Sequence, residues 1–235
     1  AGAIYVQGSS VLINNSEFTL CTSDVAGAIY IEGKDSNVIN SLITNCSSTT
    51  SSGAVHIKGN NADINGTSFV NCTSSEHGGA ICISGNYTTI IDSTFENCKV
   101  SHVNLTNPSK PEGDAIGGAI HISGNNATII NSTFLRNFAT DDGGAMYVAG
   151  DDCKLYNSTF RNNIAGDDGG AILWEGERGL VYNSTFSQNN GVGMFGAHSK
   201  GGAINVIGDN STITKSKFEM SSAITDGGAI YVTGN

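Results

Sequence analysis

The sequence predicts an all-β fold, a right-handed parallel β-helix with about 26 residues and three short strands per coil. The first observation is a tripeptide, Gly-Ala-Ile or a close variant, that returns nine times at intervals of 25, 26, 26, 39, 26, 26, 32 and 26 residues. Such a period marks a repeat architecture, in which each unit buries its apolar side chains against its neighbours. The alanines of the tripeptide are Ala3, Ala28, Ala54, Ala80, Ala119, Ala145, Ala171, Ala203 and Ala229.

The second observation is apolar alternation within each repeat. Residues two apart share one face of a strand, so Ile29 and Ile31 of the first segment, and their equivalents, are predicted to point inward. A turn follows, as in Gly59–Asn61, because Gly and Asn tolerate a positive φ. The second and third segments carry one core column each: Ile13, Val38, Ile64, Ile90, Ile129, Leu155, Val181 and Ile213, then Phe18, Ile43, Phe69, Phe95, Phe134, Phe160, Phe186 and Phe218.

An asparagine column lies two residues after the aliphatic column of the second segment. We expect these side chains to point inward and to hydrogen-bond along the helix axis, which satisfies polar groups that are costly to bury. The column contains Asn15, Asn40, Asn131, Asn157 and Asn183.

The unbroken period predicts one β-helical segment over residues 1–235. Both ends fall within a repeat and neither resembles a polar capping repeat, so we expect a section of a longer repeat protein. The long intervals add residues at 101–116 and at 191–200, just before the Gly-Ala-Ile turn. Insertions in a solenoid become surface loops, and both are predicted to leave the same edge.

Charge and hydropathy exclude several classes of partner. The net charge is −10, which disfavours nucleic acids and anionic membranes because phosphate binding needs clustered Lys and Arg. The sequence contains no stretch of 18 apolar residues, so no membrane span is expected in this segment.

The repeat resembles that of the chlamydial polymorphic membrane proteins, and is equally similar to the large adhesin-like surface proteins of methanogenic archaea and to related proteins of parasitic protists. The resemblance rests on Gly-Gly-Ala-Ile or a close variant paired with Phe-x-x-Asn, at Gly117–Ile120, Gly143–Met146, Gly227–Ile230, Phe134–Asn137, Phe160–Asn163 and Phe186–Asn189. It implies a right-handed β-helix on an extracellular surface, serving adhesion or forming a coat. It implies no catalytic residue and no cofactor.

The chain departs from this pattern in its first four coils, where Cys replaces the Asn of Phe-x-x-Asn. Stacked cysteines would have Cα atoms about 4.8 Å apart, which is within disulfide range. Bridges Cys21–Cys46 and Cys72–Cys98 are one expectation for an oxidising compartment. A reduced column of small buried residues is the alternative.

Asn-x-Ser/Thr sequons are abundant and would carry glycans in an exported protein. Those in the asparagine column are expected to be inward and bare. Those in turns or loops are the candidates for glycosylation, namely Asn45, Asn71, Asn86, Asn104, Asn126 and Asn210.

The middle residue of the first strand is predicted to face outward and to form a partly aromatic stripe. Such a stripe suits docking of a sugar chain or another rod, although cross-strand stacking that only supports the sheet explains it as well. Its candidate binding residues are Tyr5, Tyr30, His56, His121, Tyr147 and Tyr231.

Two groups of metal-capable side chains are weak candidates. His56, Cys82 and His121 are predicted on consecutive coils, but parallel side chains do not converge as a zinc site requires. The pairs Asp141/Asp142 and Asp167/Asp168 could share calcium, but a solvated acidic edge is the simpler expectation.

These observations predict a non-enzymatic extracellular surface protein, adhesin-like or structural, as in a coat, stalk or filament. Its expected partners are other surface proteins, glycans or copies of itself. The alternative is a carbohydrate-active β-helix enzyme, suggested by Gly150–Cys153, which matches one polygalacturonase motif while the companion motifs are absent. A water-ordering or ice-binding surface, suggested by the column Thr94, Thr133, Thr159 and Thr185, is a third reading.

Overall fold

The computed structural model describes residues 1–102, 114–194 and 198–235. Within them the chain winds as a parallel β-solenoid whose repeats of about 26 residues stack into four parallel sheets. This confirms the predicted parallel β-helix, and adds a sheet to the three expected. Among the described residues there is no helix with the length and apolar character needed to cross a bilayer.

The first sheet contains the Gly-Ala-Ile segments and has nine strands. Its strands are Ile4–Val6, Ile29–Ile31, Val55–Ile57, Ile81–Ile83, Ile120–Ile122, Met146–Val148, Ile172–Trp174, Ile204–Val206 and Ile230–Val232. The second sheet comprises Leu12–Asn14, Asn37–Ile39, Asp63–Asn65, Thr89–Ile91, Thr128–Ile130, Lys154–Tyr156, Leu180–Tyr182 and Thr212–Thr214.

The third sheet holds the Phe column in Glu17–Thr19, Leu42–Thr44, Ser68–Val70, Thr94–Glu96, Thr133–Leu135, Thr159–Arg161, Thr185–Ser187 and Lys217–Glu219. The fourth, which the sequence did not predict, consists of two-residue strands: Thr22–Ser23, Ser47–Ser48, Thr73–Ser74, Lys99–Val100, Phe138–Ala139, Ile164–Ala165 and Asn190–Gly191. Strands this short show no alternation along the chain, which is why the pattern did not reveal them.

Three corners of each regular coil turn at one residue with positive φ, such as Asn126, Asn131 and Arg136 in a single coil. Asn, Asp and Gly dominate these positions because they enter the left-handed region at least cost. A fourth left-handed residue, the first Gly of Gly-Gly, precedes the first sheet from the fourth coil onward, as at Gly143.

The predicted core columns are confirmed. Phe rings of neighbouring coils stack nearly parallel, with centroids 4.8 Å apart for Phe95 and Phe134 and 4.4 Å apart for Phe134 and Phe160. The register continues across the first insertion, since Phe95 pairs directly with Phe134. The longer interval therefore leaves the core intact.

The asparagine column was predicted to face inward, and this is wrong. Asn131, Asn157 and Asn183 are exposed corner residues with positive φ. The inward polar column is the next residue along, Ser or Thr, whose hydroxyl accepts a hydrogen bond from the backbone N–H of the neighbouring coil. The bond from Ser132 N to Ser158 Oγ, at 3.1 Å, is one example.

Candidate functional site

The predicted stripe forms an in-register column on the outer face of the first sheet. Its aromatic members stack along the axis: the Tyr30 and His56 ring centroids are 5.0 Å apart, and those of His121 and Tyr147 are 5.3 Å apart. The stacking that was weighed as the alternative explanation is therefore present.

The middle of this stripe is covered rather than open. Tyr5 is 54% exposed, but Tyr30 and His56 are only 9% and 7% exposed. In the following coils the turn before Gly-Gly lies over the outer face of the sheet, and the His77 ring sits 4.8 Å from that of His121. Sequence reasoning placed the stripe outward but missed this cover, so Tyr30 and His56 are not available as binding residues.

Charged side chains flank the accessible tyrosines. The Tyr5 hydroxyl donates to Glu32 Oε2 at 2.6 Å, and the Tyr147 hydroxyl donates to Glu175. Burial and the Glu175 hydrogen bond raise the pKa of Tyr147, so its phenol is neutral. The Lys200 ammonium lies 5.0 Å from the Tyr231 ring centre. Flat aromatic rings with charged groups at their edges suit contacts with a sugar or with a protein surface.

A group of imidazoles surrounds Cys82 within the stripe. The Cys82 Sγ lies 3.6 Å from His121 Nδ1, and His56 occupies the adjacent rung. Burial, helped by neighbouring cations, lowers the pKa of His56 to about 4 and that of His121 to about 3, while burial raises the pKa of Cys82 to about 12. At neutral pH these three side chains are therefore uncharged.

The four candidate calcium ligands line the turn edge, where three of them bind backbone. Asp142 Oδ1 accepts from Asp168 N at 2.8 Å, Asp168 Oδ1 accepts from Lys200 N at 2.7 Å, and Asp141 Oδ2 accepts from Ala115 N at 2.8 Å. No group of three or more His, Cys, Asp or Glu side chains in residues 1–102, 114–194 and 198–235 is arranged to hold a metal ion. These carboxylates, Asp167 included, are partly buried and form no solvated edge.

Burial and the neighbouring carboxylates raise the pKa of Asp142 to about 7 from its usual 3.8. Between these values the folded chain holds a proton that the unfolded chain releases, so the free energy of unfolding falls as pH rises. We predict that Asp142→Asn, which keeps the amide oxygen as an acceptor, removes this part of the profile. Urea unfolding of both proteins from pH 4 to pH 8 measures it. Parallel profiles for the two proteins would contradict the shift.

The cysteines of the cysteine column occupy the same position in the coil as the Asn of Phe-x-x-Asn. Both side chains donate a hydrogen bond to a backbone carbonyl of the preceding coil. Asn163 Nδ2 donates to the Phe134 carbonyl of the preceding coil at 3.1 Å, and the Cys98 thiol donates to the equivalent Phe69 carbonyl at 3.7 Å. The cysteines of this column, and Cys82 and Cys153, are free thiols in the structure.

The two predicted bridges, Cys21–Cys46 and Cys72–Cys98, join thiols that do adjoin. The neighbouring Cys98 thiol, together with burial, raises the pKa of Cys72, and burial raises the pKa of Cys46 to about 12. A buried protonated thiol is a poor nucleophile, so Cys46 and Cys72 react slowly once this core has closed.

The sequons fall at different places on the corners. Asn45, Asn71 and Asn210 are exposed, Asn86 and Asn126 are half-buried, and Asn104 lies outside the described residues. Asn71 Nδ2 donates to Asn45 Oδ1 at 3.1 Å, so the Asn71 amide nitrogen is engaged. The sequons of the asparagine column are exposed as well, so the burial on which their expected lack of glycans rested is absent, although Asn183 Nδ2 donates to Asn157 Oδ1 at 2.8 Å.

Both insertions begin after a strand of the fourth sheet and end before the Gly-Gly turn. On either side of the first insertion, Ser101 N donates to Ser74 O and Ile116 N donates to Glu76 O. After the second insertion, the Lys200 backbone forms an isolated parallel β-bridge with that of Asp226. The described ends of both insertions therefore lie at the turn edge that covers the stripe.

The motif that suggested an enzyme, Gly150–Cys153, forms a turn whose aspartates hydrogen-bond to the turn of the next coil. Arg178 Nε donates to Asp152 Oδ1 at 2.8 Å, and Asp151 Oδ1 accepts from Glu177 N at 2.9 Å. Asn125 Oδ1 accepts from Asp151 N in the same way one coil earlier. Both aspartates thus replace the turn asparagines of other coils.

The coil geometry and its ladders define a parallel β-helix repeat protein. Residues 157–173 match the profile of the Chlamydia polymorphic membrane protein (Chlamydia_PMP) repeat. This segment contains one complete pairing of the two motifs, Phe160–Asn163 and Gly169–Ile172. The chain is a parallel β-helix repeat protein, and one of its repeats is similar to the polymorphic membrane protein repeat. No curated protein matches the chain.

Proposed function

We propose that this chain is part of a non-enzymatic extracellular surface protein, an adhesin-like or structural rod. The observation that carries the proposal is the polymorphic membrane protein repeat within a uniform β-helix. In-register strands, stacked rings and amide ladders make a rigid body whose length grows by adding coils. Its mechanism is geometric: repeats supply reach, and outer residues supply contacts.

The contacts are assigned to the accessible part of the stripe and to the two insertions beside it. Tyr5, Tyr147 and Tyr231 retain exposed ring surface, and each has a carboxylate or an ammonium beside it. The partners are glycans or other surface proteins, including copies of this chain in a coat or filament. Glycans on Asn45, Asn71 and Asn210, and bridges formed during export, would accompany this location.

Binding to an immobilised glycan panel tests the stripe. We expect Tyr147→Ala and Tyr231→Ala to weaken binding about tenfold, because each removes a stacking ring worth about 1 kcal/mol or more. Tyr87→Ala is the matched control, since Tyr87 is 58% exposed at a corner away from the stripe. Equal loss in all three variants, or no loss in either stripe variant, would argue against the stripe.

No observation in residues 1–102, 114–194 and 198–235 favours the enzyme alternative. The Asp151/Asp152 pair that suggested it is engaged with the Glu177 backbone amide and with Arg178. A water-ordering surface also lacks support beyond the in-register pairing of Thr94, Thr133, Thr159 and Thr185.

A further inference from the structure

The outer face of the second sheet is formed by the first and third residues of its eight strands, whose side chains are half-buried or exposed. These side chains make two columns in direct register along the rod. The first column is Leu12, Asn37, Asp63, Thr89, Thr128, Lys154, Leu180 and Thr212. The second column is Asn14, Ile39, Asn65, Ile91, Ile130, Tyr156, Tyr182 and Thr214.

The eight strands carry two charged residues on this face, one of each sign. Asp63 and Lys154 both belong to the first column and are exposed, and neither belongs to an ion pair among the described residues. Thr89 and Thr128 lie between them. The two charges are therefore three strand spacings, about 14 Å, apart. Their midpoint is the boundary between the Thr89 and Thr128 strands.

The second column is apolar at the same midpoint, where Ile91 pairs with Ile130. Ile39 and Tyr182 lie at equal distances on either side of it, two strands beyond this isoleucine pair. The face thus has an apolar centre flanked by opposite charges at equal distances. A surface with this pattern is complementary to itself when one copy is reversed along the rod axis.

We propose that this face pairs with the same face of a second copy, with the two rods antiparallel. A two-fold axis parallel to the strands at the midpoint sets Asp63 of each chain opposite Lys154 of the other. The same axis sets Ile91 opposite Ile130 and Ile39 opposite Tyr182. The interface is isologous, so each of these contacts occurs twice. This inference specifies one partner that the proposed function allows, a second copy of the chain.

Charge complementarity favours this arrangement over other occupants of the face. Parallel rods would set Asp63 against Asn65 and Lys154 against Tyr156, so neither charge would find its opposite. An acidic glycan laid along the face would be attracted by Lys154 but repelled by Asp63. In the antiparallel pair every charge on the face meets an opposite one.

The corners that precede this sheet follow the same rule. Asp35 is the left-handed corner residue of the second coil, and Arg178 is that of the seventh. These two coils are equidistant from the midpoint, so the axis sets Asp35 of one chain opposite Arg178 of the other. The flanking charges therefore add to the complementarity of the face.

The face is large enough for a weak dimer. Eight strands about 4.8 Å apart, on a side about 13 Å wide, give about 500 Å² per chain and about 1,000 Å² in total. This area lies at the lower limit of specific interfaces. We therefore expect a dissociation constant in the micromolar range, set by the apolar centre and sharpened by the ion pairs.

The test is sedimentation analysis of the reduced 235-residue chain over the micromolar range at low and high salt. We expect a monomer–dimer equilibrium that salt weakens, because the ion pairs are screened. Asp63→Lys or Lys154→Asp alone should weaken dimerisation about tenfold or more, since each sets like charges opposite each other twice per dimer. The double variant should recover it, because both pairs are then restored with their signs exchanged.

The controls make the same change of charge elsewhere. Glu17→Lys and Lys99→Asp alter exposed residues of the third and fourth sheets, and should change the dissociation constant by less than about twofold. The first column accepts both an Asp and a Lys, so the charge-swap variants are compatible with the fold. Ile130→Asn, which places at the apolar centre the residue type found at Asn65, should also weaken the dimer about tenfold.

Cross-linking with a carbodiimide tests the geometry directly. The reagent condenses a carboxylate with an amine in contact with it, and itself takes up the water that is lost. Asp63 and Lys154 of one chain are about 14 Å apart, so an amide between them joins two chains. We expect this cross-linked peptide pair in the dimer band and its absence from the monomer band.

Three results would overturn the proposal: a chain that stays monomeric, a dimer that neither single charge variant weakens, or a double variant that stays as weak as the single ones. A monomer that instead binds an acidic glycan through Lys154 would also overturn it. Because these measurements use the isolated chain, their failure leaves the proposed surface location to be judged separately on cells.

Discussion

Gly53→Ala should unfold the middle of the rod or destabilise it by about 3 kcal/mol or more. Gly53 precedes Ala54, the repeat alanine of its coil, at a point where the backbones of successive coils approach closely. A Cβ built on it would lie 2.0 Å from the Gly79 carbonyl oxygen and 2.5 Å from Thr73 N. Both contacts are with backbone, so no side-chain rotation relieves them.

The control for this prediction is Gly228→Ala, in the same column. A Cβ on Gly228 meets only Ser221 O, at 4.0 Å, and we expect a change within about 0.5 kcal/mol. Urea unfolding followed by far-ultraviolet circular dichroism compares the two. If Gly53→Ala is as stable as Gly228→Ala, the coils do not approach as closely as described.

Asn163→Ala should destabilise the protein by about 3 kcal/mol. Asn163 Oδ1 accepts from both Asn137 N and Asn137 Nδ2, each at 3.0 Å, and its own Nδ2 donates to Phe134 O and Asn189 Oδ1. The alanine leaves the buried Asn137 N–H without its acceptor. An unpaired buried donor costs more than the net strength of the bond it loses.

Two variants distinguish the loss of these hydrogen bonds from the cost of any substitution in this coil. Asn163→Cys should recover part of the loss, because the cysteines of the first coils donate to the equivalent carbonyl, as Cys98 does to Phe69 O. Asn157→Gly, at an exposed corner of the same coil where φ is 50°, should cost less than about 1 kcal/mol. A Cys variant no more stable than the Ala variant would refute the equivalence of thiol and amide. Urea midpoints provide the comparison.

Much of the fold could be predicted from the sequence because each pattern recurs in every coil. Nine occurrences of one tripeptide defined the period, and columns such as Phe69, Phe95 and Phe134 identified the core.

The coil that contains Trp174 shows how one substitution is compensated by another. Trp174 is buried, and a Cβ on Gly179 would lie 2.4 Å from its Nε1, so Gly at a position occupied by Ala62 and Cys153 in other coils makes room for the ring.

The sequence did not show which of the polar columns points into the core. Asn157 and Ser158 are adjacent polar residues, and nothing in the spacing tells which one points inward. The corner conformation decides, because Asn takes the left-handed position and Ser then faces the core. The covering of the stripe is likewise tertiary: His77 is near His121 only because the turn lies over the sheet.

Surface labelling of intact cells from the native source tests the central claim most directly. A membrane-impermeant amine reagent, followed by enrichment and peptide mass analysis, should label exposed lysines of this chain such as Lys154 without cell lysis. Protease added to the same cells should remove the labelled chain while an internal marker protein survives. Labelling only after lysis, with protection from protease before it, would contradict an extracellular rod.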